Sequence, residues 1–178
     1  MGHSHFTKVR RVLVRPQTIV WLPASIYDLC CANADQHFPY ETGGALMGYW
    51  VDKERVVVTA SIEAGPNAIH NRYSFEPDYS YQRQRIADHY EASGRYDAYL
   101  GDWHTHPAGI SGSLSIADRK ALKRVATSMA ARAPNPLSLI LYGRPSAWKT
   151  ACWCAAVVPR RILWHRLATW SAELHFCR

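Results

Sequence analysis

The chain has 178 residues, of which 48% are hydrophobic and 20% are charged. This length and composition are those of one globular domain that can bury a sizeable core. No stretch approaches the roughly 18 consecutive apolar residues of a membrane-spanning helix. The formal net charge of +7 favours acidic partners, or acidic surfaces on a protein partner. Nucleic acid is the alternative partner for a protein of this charge, but the sequence has no Arg/Lys-rich or base-stacking motif.

The N-terminus and the cysteines bear on the cellular compartment. Residues 1–10 are expected to be a flexible N-terminus ahead of one domain at 11–178. This N-terminus lacks the apolar core of a signal peptide. The five cysteines form no repeating framework, which suits a reducing compartment better than secretion. We therefore expect a cytoplasmic protein.

Hydrophobic periodicity predicts strands and helices that alternate along the chain. The predicted strands are two short ones separated by a turn within 12–22, a hairpin of 43–51 and 55–62, then 98–106, 137–142, 148–158 and a β-rich or mixed segment at 162–176. The first predicted helix begins at Pro23–Ser25 and ends near 36–39. The second follows an N-cap at Asp78 and ends at Gly94, and the third runs from Ile116 to about Ala131. This alternation predicts an α/β layered domain.

The second and third predicted helices each carry a stripe that is expected to face the core. In the second helix the stripe comprises Tyr79, Arg83, Ile86 and Tyr90. In the third helix it comprises Ala117, Ala121, Leu122, Val125 and Met129. Trp103, in the strand 98–106, is also expected in the core.

The stretch 101–107 reads Gly-Asp-Trp-His-Thr-His-Pro and carries two histidines two residues apart. On a strand, residues i and i+2 project to the same face, so His104 and His106 can reach one ion. Pro107 ends the strand because it has no N–H for a ladder. The helix that follows can return Asp118 to the histidines as a third ligand. Two histidines and one carboxylate with an open fourth position are typical of a catalytic zinc site.

The helix start at Ser115-x-x-Asp118 has a second interpretation as a capping box with an acidic residue in the first turn. The two interpretations are compatible, because a capped helix start is a rigid place to mount a ligand. The loop 108–114 ahead of it contains Gly109 and Gly112, which are expected to let it move over the site.

These motifs combine, over a distance, into the signature of a known family. The stretch 104–118 reads His-Thr-His-Pro, seven residues, Ser, two residues and Asp, which resembles the signature of the JAB/MPN metalloproteases, also called JAMM proteases. The stretch 41–48, Glu-Thr-Gly-Gly-Ala-Leu-Met-Gly, resembles the upstream glutamate and glycine-rich strand of that family. Many members have proline where this chain has Leu114. The resemblance implies a single α/β domain with a central mixed β-sheet flanked by helices, similar to the cytidine-deaminase fold.

The resemblance also implies a role for each matching residue. His104, His106 and Asp118 would hold one Zn²⁺ ion per chain with a catalytic water. Glu41 would act as the general base, taking the water proton and returning it to the departing amine. The Ser115 hydroxyl would donate to the negative charge that develops on the attacked carbonyl.

A substrate follows from the same resemblance. It implies cleavage after the C-terminal glycine, or another small residue, of a ubiquitin-like or conjugated protein, which is deubiquitinase-like deconjugation. The compact chain looks like small bacterial JAB domains, including those encoded beside activating- and conjugating-enzyme-like proteins in antiphage systems. Those enzymes and the modifier are the expected partners, with no membrane and no nucleic acid. A zinc ion at a strand edge flanked by Gly43 and Gly44 would accept an extended chain.

Other interpretations stay open. A metallopeptidase that processes the tail of a sulfur-carrier protein would use the same residues, whereas a non-catalytic MPN scaffold would lack one or more ligands. Cys152 and Cys154 lie on one face of a predicted strand, with His165 and His175 downstream, so a second, structural zinc is conceivable. Their spacing favours buried, reduced cysteines instead.

Overall fold

The computed structural model of the chain describes residues 17–161 and 164–178. Its helices are α1 (Ala24–His37), α2 (Tyr79–Ala92) and α3 (Ile116–Thr127). Its strands are β1 (Ile19–Pro23), β2 (Gly43–Trp50), β3 (Arg55–Ile62), β4 (Ile69–His70), β5 (Phe75–Glu76), β6 (Ala98–Pro107), β7 (Leu137–Gly143), β8 (Lys149–Arg161) and β9 (Trp164–Cys177). The predicted flexible segment 1–10 and the first of the two short strands predicted within 12–22 lie outside the described residues.

Seven strands form one mixed sheet in the order β1-β3-β2-β6-β7-β8-β9. The sheet closes into a barrel because β1 pairs in parallel with both β3 and β9. The β6–β7 pair is parallel too, while the other neighbours are antiparallel. The two remaining strands, β4 and β5, form a separate two-stranded sheet. A single α/β domain with a central mixed sheet is therefore confirmed.

Side chains on the two faces of the sheet enter two different hydrophobic clusters. The larger cluster joins α1 to the strands, and Leu139 of β7 belongs to it. Ile140, the next residue, faces the opposite way, as alternation along a strand requires, and packs with Leu122 of α3 in the smaller cluster. The α1 side chains in the larger cluster are Ile26, Cys30 and Ala34. Each face of the sheet is thus covered by a helix.

Helix α2 has the predicted boundaries but not the predicted buried stripe. Its N-cap is Asp78, and Gly94 follows it with a φ of 70°, as expected for a residue just past a helix end. Tyr79 is 59% exposed, and the buried α2 side chain is Gln82, which donates to the Glu63 carbonyl oxygen. The predicted stripe is wrong at Tyr79 and Arg83, which are exposed, whereas Ile86 and Tyr90 are partly buried.

Helix α3 is shorter than predicted, and it buries less. It ends at Thr127, so Met129 lies beyond the helix and is 94% exposed. Of the predicted core residues, Leu122 is buried and Ala117 is exposed. Trp103 of β6 is 3% exposed, which confirms its place in the core. No helix in residues 17–161 and 164–178 combines the length and the apolar character that a membrane crossing requires.

Candidate metal centre

Strand β6 presents both histidines of the motif on one face. The Nε2 atoms of His104 and His106 lie 3.1 Å apart, and both side chains are mostly buried. The residue between them, Thr105, points to the other face and is fully buried. The i, i+2 spacing on a strand therefore brings the two imidazoles together as predicted.

The start of α3 brings a carboxylate to the same point. Ser115 is the N-cap: its Oγ accepts from the Asp118 N–H at 3.1 Å, and its own N–H donates to Asp118 Oδ2 at 2.6 Å. The capping box is thus confirmed, and it holds the Asp118 side chain in place. Asp118 Oδ1 lies 3.3 Å from His104 Nε2, and Oδ2 lies 3.5 Å from His106 Nε2.

These separations fit a bound metal ion. A tetrahedral site with metal–ligand distances of about 2.1 Å places its ligand atoms about 3.4 Å apart. The two Nε2 atoms are 3.1 Å apart, and they lie 3.3 and 3.5 Å from the two different oxygens of the Asp118 carboxylate. With one ligand atom taken from each residue, all three atoms lie within 4.8 Å of one another. Burial opposes ionisation of Asp118, but hydrogen bonds with His104 and His106 outweigh it and hold the pKa of Asp118 well below its usual range. The Asp118 carboxylate is therefore ionised and can act as a ligand to a cation. Within the described ranges, this is the one cluster of three or more metal-ligating side chains.

Glu41 stands beside the cluster, just ahead of β2. Its N–H donates to the Asn71 carbonyl at 2.8 Å, and its own carbonyl accepts from His70 Nδ1 at 3.0 Å. Burial raises the pKa of the Glu41 carboxyl, and the charges of His104 and His106 act in the opposite direction. The carboxylate is thus close enough to sense both histidines, while its backbone is attached to the segment after β4.

A second pair of buried residues ties Glu41 to the histidine strand. The Thr42 N–H donates to Thr105 Oγ1 at 2.9 Å, and the Thr105 N–H donates to the Thr42 carbonyl at 2.9 Å. Thr42 Oγ1 also donates to Asn33 Oδ1 of α1 at 2.8 Å. Both threonines are fully buried. We did not single out Thr42, Thr105 or His70 from the sequence, although a threonine between two ligand histidines is a signal that could have been used.

Glycines at the start of β2 allow its backbone to approach both neighbouring strands, β6 and β3, closely. A Cβ on Gly43 would lie 2.3 Å from the Trp103 carbonyl oxygen, and one on Gly44 would lie 2.2 Å from the Ile62 carbonyl oxygen. Gly43 pairs with His104, so the predicted close approach at the metal site is present. The predicted strand edge is wrong, however, because β6 is bounded by β2 on one side and by β7 on the other.

The loop 108–114 is anchored at several points. The Ala108 N–H donates to the Gly143 carbonyl, the Gly109 N–H donates to the His106 carbonyl, and Trp153 Nε1 donates to the Gly112 carbonyl at 2.8 Å. A Cβ on Gly112 would lie 2.5 Å from the Cβ of Ala151. The structure thus gives these glycines a packing role, in place of the freedom of movement expected from the sequence.

The cysteines in β8 lie away from this site. Cys152 and Cys154 are buried and form no disulfide, and burial raises the pKa of Cys154 to about 12. In the part of the chain that the structure describes, they belong to no metal-ligating cluster. The side chain of His165 lies outside the described residues, and His175 contacts Glu173 at 2.7 Å. Buried, reduced thiols are the interpretation that the described residues support.

Comparison with known proteins agrees with this fold and this cluster. The family described as prokaryotic homologs of the JAB domain matches residues 23–165. The chain is 39% identical over 156 residues to "Probable metalloprotease y4qB" of Sinorhizobium fredii, spanning 88% of this chain and 95% of that protein. It is 30% identical over 108 residues to "CD-NTase/cGAS isopeptidase" of Escherichia coli, spanning 61% of this chain and 65% of that protein.

The mixed α/β barrel and the cluster of two histidines and a carboxylate agree with a JAB-type hydrolase domain. The chain belongs to the prokaryotic JAB domain family. In addition, the solution structure of protein DSY2949 from Desulfitobacterium hafniense superimposes with a TM-score of 0.63 at 18% identity, covering 90% of this chain and 93% of that one. This likeness supports the fold.

Proposed function

We propose that the chain is a zinc-dependent isopeptidase or peptidase that cleaves after the C-terminal glycine, or another small residue, of a ubiquitin-like or conjugated protein. The observation that carries the proposal is the convergence of His104, His106 and Asp118, whose ligand atoms lie within 4.8 Å of one another, with the Glu41 carboxylate in electrostatic range of them. The names of the two relatives, a metalloprotease and an isopeptidase, point in the same direction.

Each residue of the site has a distinct task in this proposal. When bound, zinc supplies Lewis-acid chemistry that lowers the pKa of water from roughly 15.7 to about 7. The Glu41 carboxylate accepts the proton of the attacking water and passes it to the leaving amine, which supplies roughly 10²–10⁴ in rate. The Ser115 hydroxyl donates to the oxygen of the attacked carbonyl. The same hydroxyl oxygen accepts from the Asp118 N–H, so its position relative to the ligands is fixed.

The observed strand order moves the expected position of an extended substrate away from the histidine strand. The barrel offers no free edge at β6, so a peptide cannot add to the strand that carries the histidines. In the described sheets β5 pairs only with β4, and Phe75 of β5 approaches the position that a Gly43 side chain would occupy. We place the extended tail along β5, where main-chain hydrogen bonds can hold it next to Glu41. Small residues beside the scissile bond then fit against the glycine backbone of β2.

Two narrower versions of this function differ in what is conjugated. The isopeptidase version, with an antiphage role and with activating- and conjugating-enzyme-like partners, draws on the Escherichia coli relative, of which the match spans 65%. The linear-tail version, such as processing of a sulfur-carrier protein, would use the same residues, and the name of the Sinorhizobium fredii relative, a probable metalloprotease matched over 95% of its length, is compatible with either version. A non-catalytic scaffold is the weakest version, because the three ligand side chains and Glu41 are all in place.

A defined substrate tests the proposal. The probe is a fluorescent peptide ending in Gly-Gly whose carboxyl group is joined to a lysine side chain of a second peptide. Zinc-loaded wild-type protein should release the peptide with a free terminal glycine, seen by mass spectrometry. A chelator or Glu41→Gln should abolish release, because the amide cannot accept the proton. Replacing the terminal glycine with phenylalanine should also block release. Equal turnover by Glu41→Gln and wild type would contradict the assignment of the base.

A further inference from the structure

The solvent side of α3 carries a stripe of side chains that meets nothing in the described fold. Ile116, Lys120 and Lys123 are spaced i, i+4 and i+7, so they lie along one face of the helix. Ile116 is 77% exposed, and both lysines are exposed as well. Leu122 is on the opposite side, in the core. The stripe begins at Ile116, in the same first turn of the helix as Asp118.

The charged side chains of this helix are predominantly cationic. Helix α3 carries four cationic side chains, and its one acidic residue, Asp118, points into the site. In the part of the chain that the structure describes, none of the four cations forms an ion pair, whereas α2 has its Arg85–Asp88 pair. The four cations are Arg119, Lys120, Lys123 and Arg124. Arg119 donates to Thr169 Oγ1 at 2.8 Å, and Arg124 acts electrostatically on the buried Asp102. Lys120 and Lys123 are therefore the two cations of this helix that are available to an acidic surface.

A second exposed aliphatic residue lies in the loop that leads to Ser115. Ile110 is 99% exposed, at a turn of the loop 108–114, and that loop is anchored through Gly112 to Trp153. Ile110 and Ile116 lie on the two arms of chain that flank the Ser115 cap.

We propose that Ile110, Ile116, Lys120 and Lys123, here called the cationic face, dock an acidic surface of the protein substrate. The inference rests on the proposed function and specifies its substrate class. A scissile bond held at the metal site beside Asp118 brings the part of the substrate next to that bond against the first turn of α3. Acidic residues there pair with Lys120 and Lys123, and an apolar residue among them contacts the two isoleucines. Such pairs raise the encounter rate and select the partner by charge.

Three probes with the same Gly–lysine isopeptide bond test this docking. One has neutral flanks, one carries a six-glutamate segment with a leucine in its middle, and one carries a six-lysine segment. The double variant Lys120→Glu/Lys123→Glu is compared with Arg83→Glu/Arg85→Glu on α2, which changes the net charge equally. At low salt, wild type should cleave the acidic probe with a kcat/KM about tenfold above that of the neutral probe. This ratio should fall to about one in the α3 variant and in 1 M NaCl, where the Debye length is about 3 Å, but persist in the α2 control.

Other results would overturn the docking proposal. An unchanged ratio in the α3 variant, an equal loss in the α2 control, or preference for the lysine-rich probe would each do so. Anisotropy of the acidic probe with Glu41→Gln protein measures binding without turnover. If the neutral probe is not cut at all, the proposed function fails, while probe binding that depends on Lys120 and Lys123 still supports the face. Tighter binding of a single-stranded oligonucleotide than of the acidic probe would assign the face to nucleic acid instead.

Discussion

Thr105→Val isolates the link between Glu41 and the histidine strand. Valine has nearly the shape of threonine but lacks the oxygen that accepts from the Thr42 N–H at 2.9 Å. Because Thr42 is fully buried, its N–H would lose its acceptor without gaining water. An unsatisfied buried donor costs about 1–3 kcal/mol, so the free energy of unfolding should fall by that amount. The peptide that follows Glu41 can recover a partner only by moving, which displaces the carboxylate.

The kinetic consequence separates positioning from general stability. A displacement of about 1 Å at a catalytic group can cost on the order of 100-fold in rate, so we expect kcat to fall between about 10- and 100-fold in Thr105→Val. Thr105→Ser keeps the oxygen and loses a buried methyl group, which costs about 1 kcal/mol of stability but should leave kcat near wild type. The assay measures kcat and KM on the neutral isopeptide probe, zinc content and urea unfolding. Wild-type kcat in Thr105→Val, or a larger kcat loss in Thr105→Ser, would refute the reasoning.

Three further changes test separate parts of the fold. Hydrogen bonds, first that from the Tyr81 N–H, lower the pKa of Asp78 to about 2, below the usual value of about 3.9. Its contribution to stability is therefore present above about pH 4 and lost as the pH falls toward 2, so urea unfolding of wild type and Asp78→Asn should converge over that range; a constant gap would contradict this. Gly43→Ala puts a methyl group 2.3 Å from a β6 carbonyl oxygen and should cost about 1–3 kcal/mol in urea unfolding, and a neutral effect would refute the close approach. Trp153→Phe removes the donor to the Gly112 carbonyl and should speed proteolysis within the loop 108–114. Proteolysis at the wild-type rate would show that this bond does not anchor the loop.

The candidate site could be predicted from the sequence where its geometry is local. Alternation along a strand brings His104 and His106 together, and cap chemistry at a helix start orients Asp118. Glu41 is far from the histidines in the sequence, and only the resemblance to a family suggested that it lies beside them in the fold. The Thr42–Thr105 bonds that set this distance join residues 63 positions apart, which no local pattern reveals.

The positions of most strands and helices could be predicted from the sequence, but the closure of the sheet into a barrel could not. Most predicted strands and helices agree with the structure to within a few residues. Which strands pair is a long-range property: β2 and β7 flank β6 and leave no edge there, and β1 meets β9 about 150 residues later to close the barrel. Helical periodicity also failed for α2, because it counts apolar residues, whereas this helix is attached through Asp78, Gln82 and a His89–Asp97 contact of 2.8 Å.

The most direct test is a calorimetric titration of zinc into metal-free protein. Wild type should bind one ion per chain, and Glu41→Gln should do the same, because Glu41 is assigned as the base and not as a ligand. His106→Ala should bind none at micromolar concentration, since the two remaining ligands hold zinc poorly. Wild-type protein that takes up no zinc, or His106→Ala protein that still binds one full equivalent, would contradict the assigned metal centre.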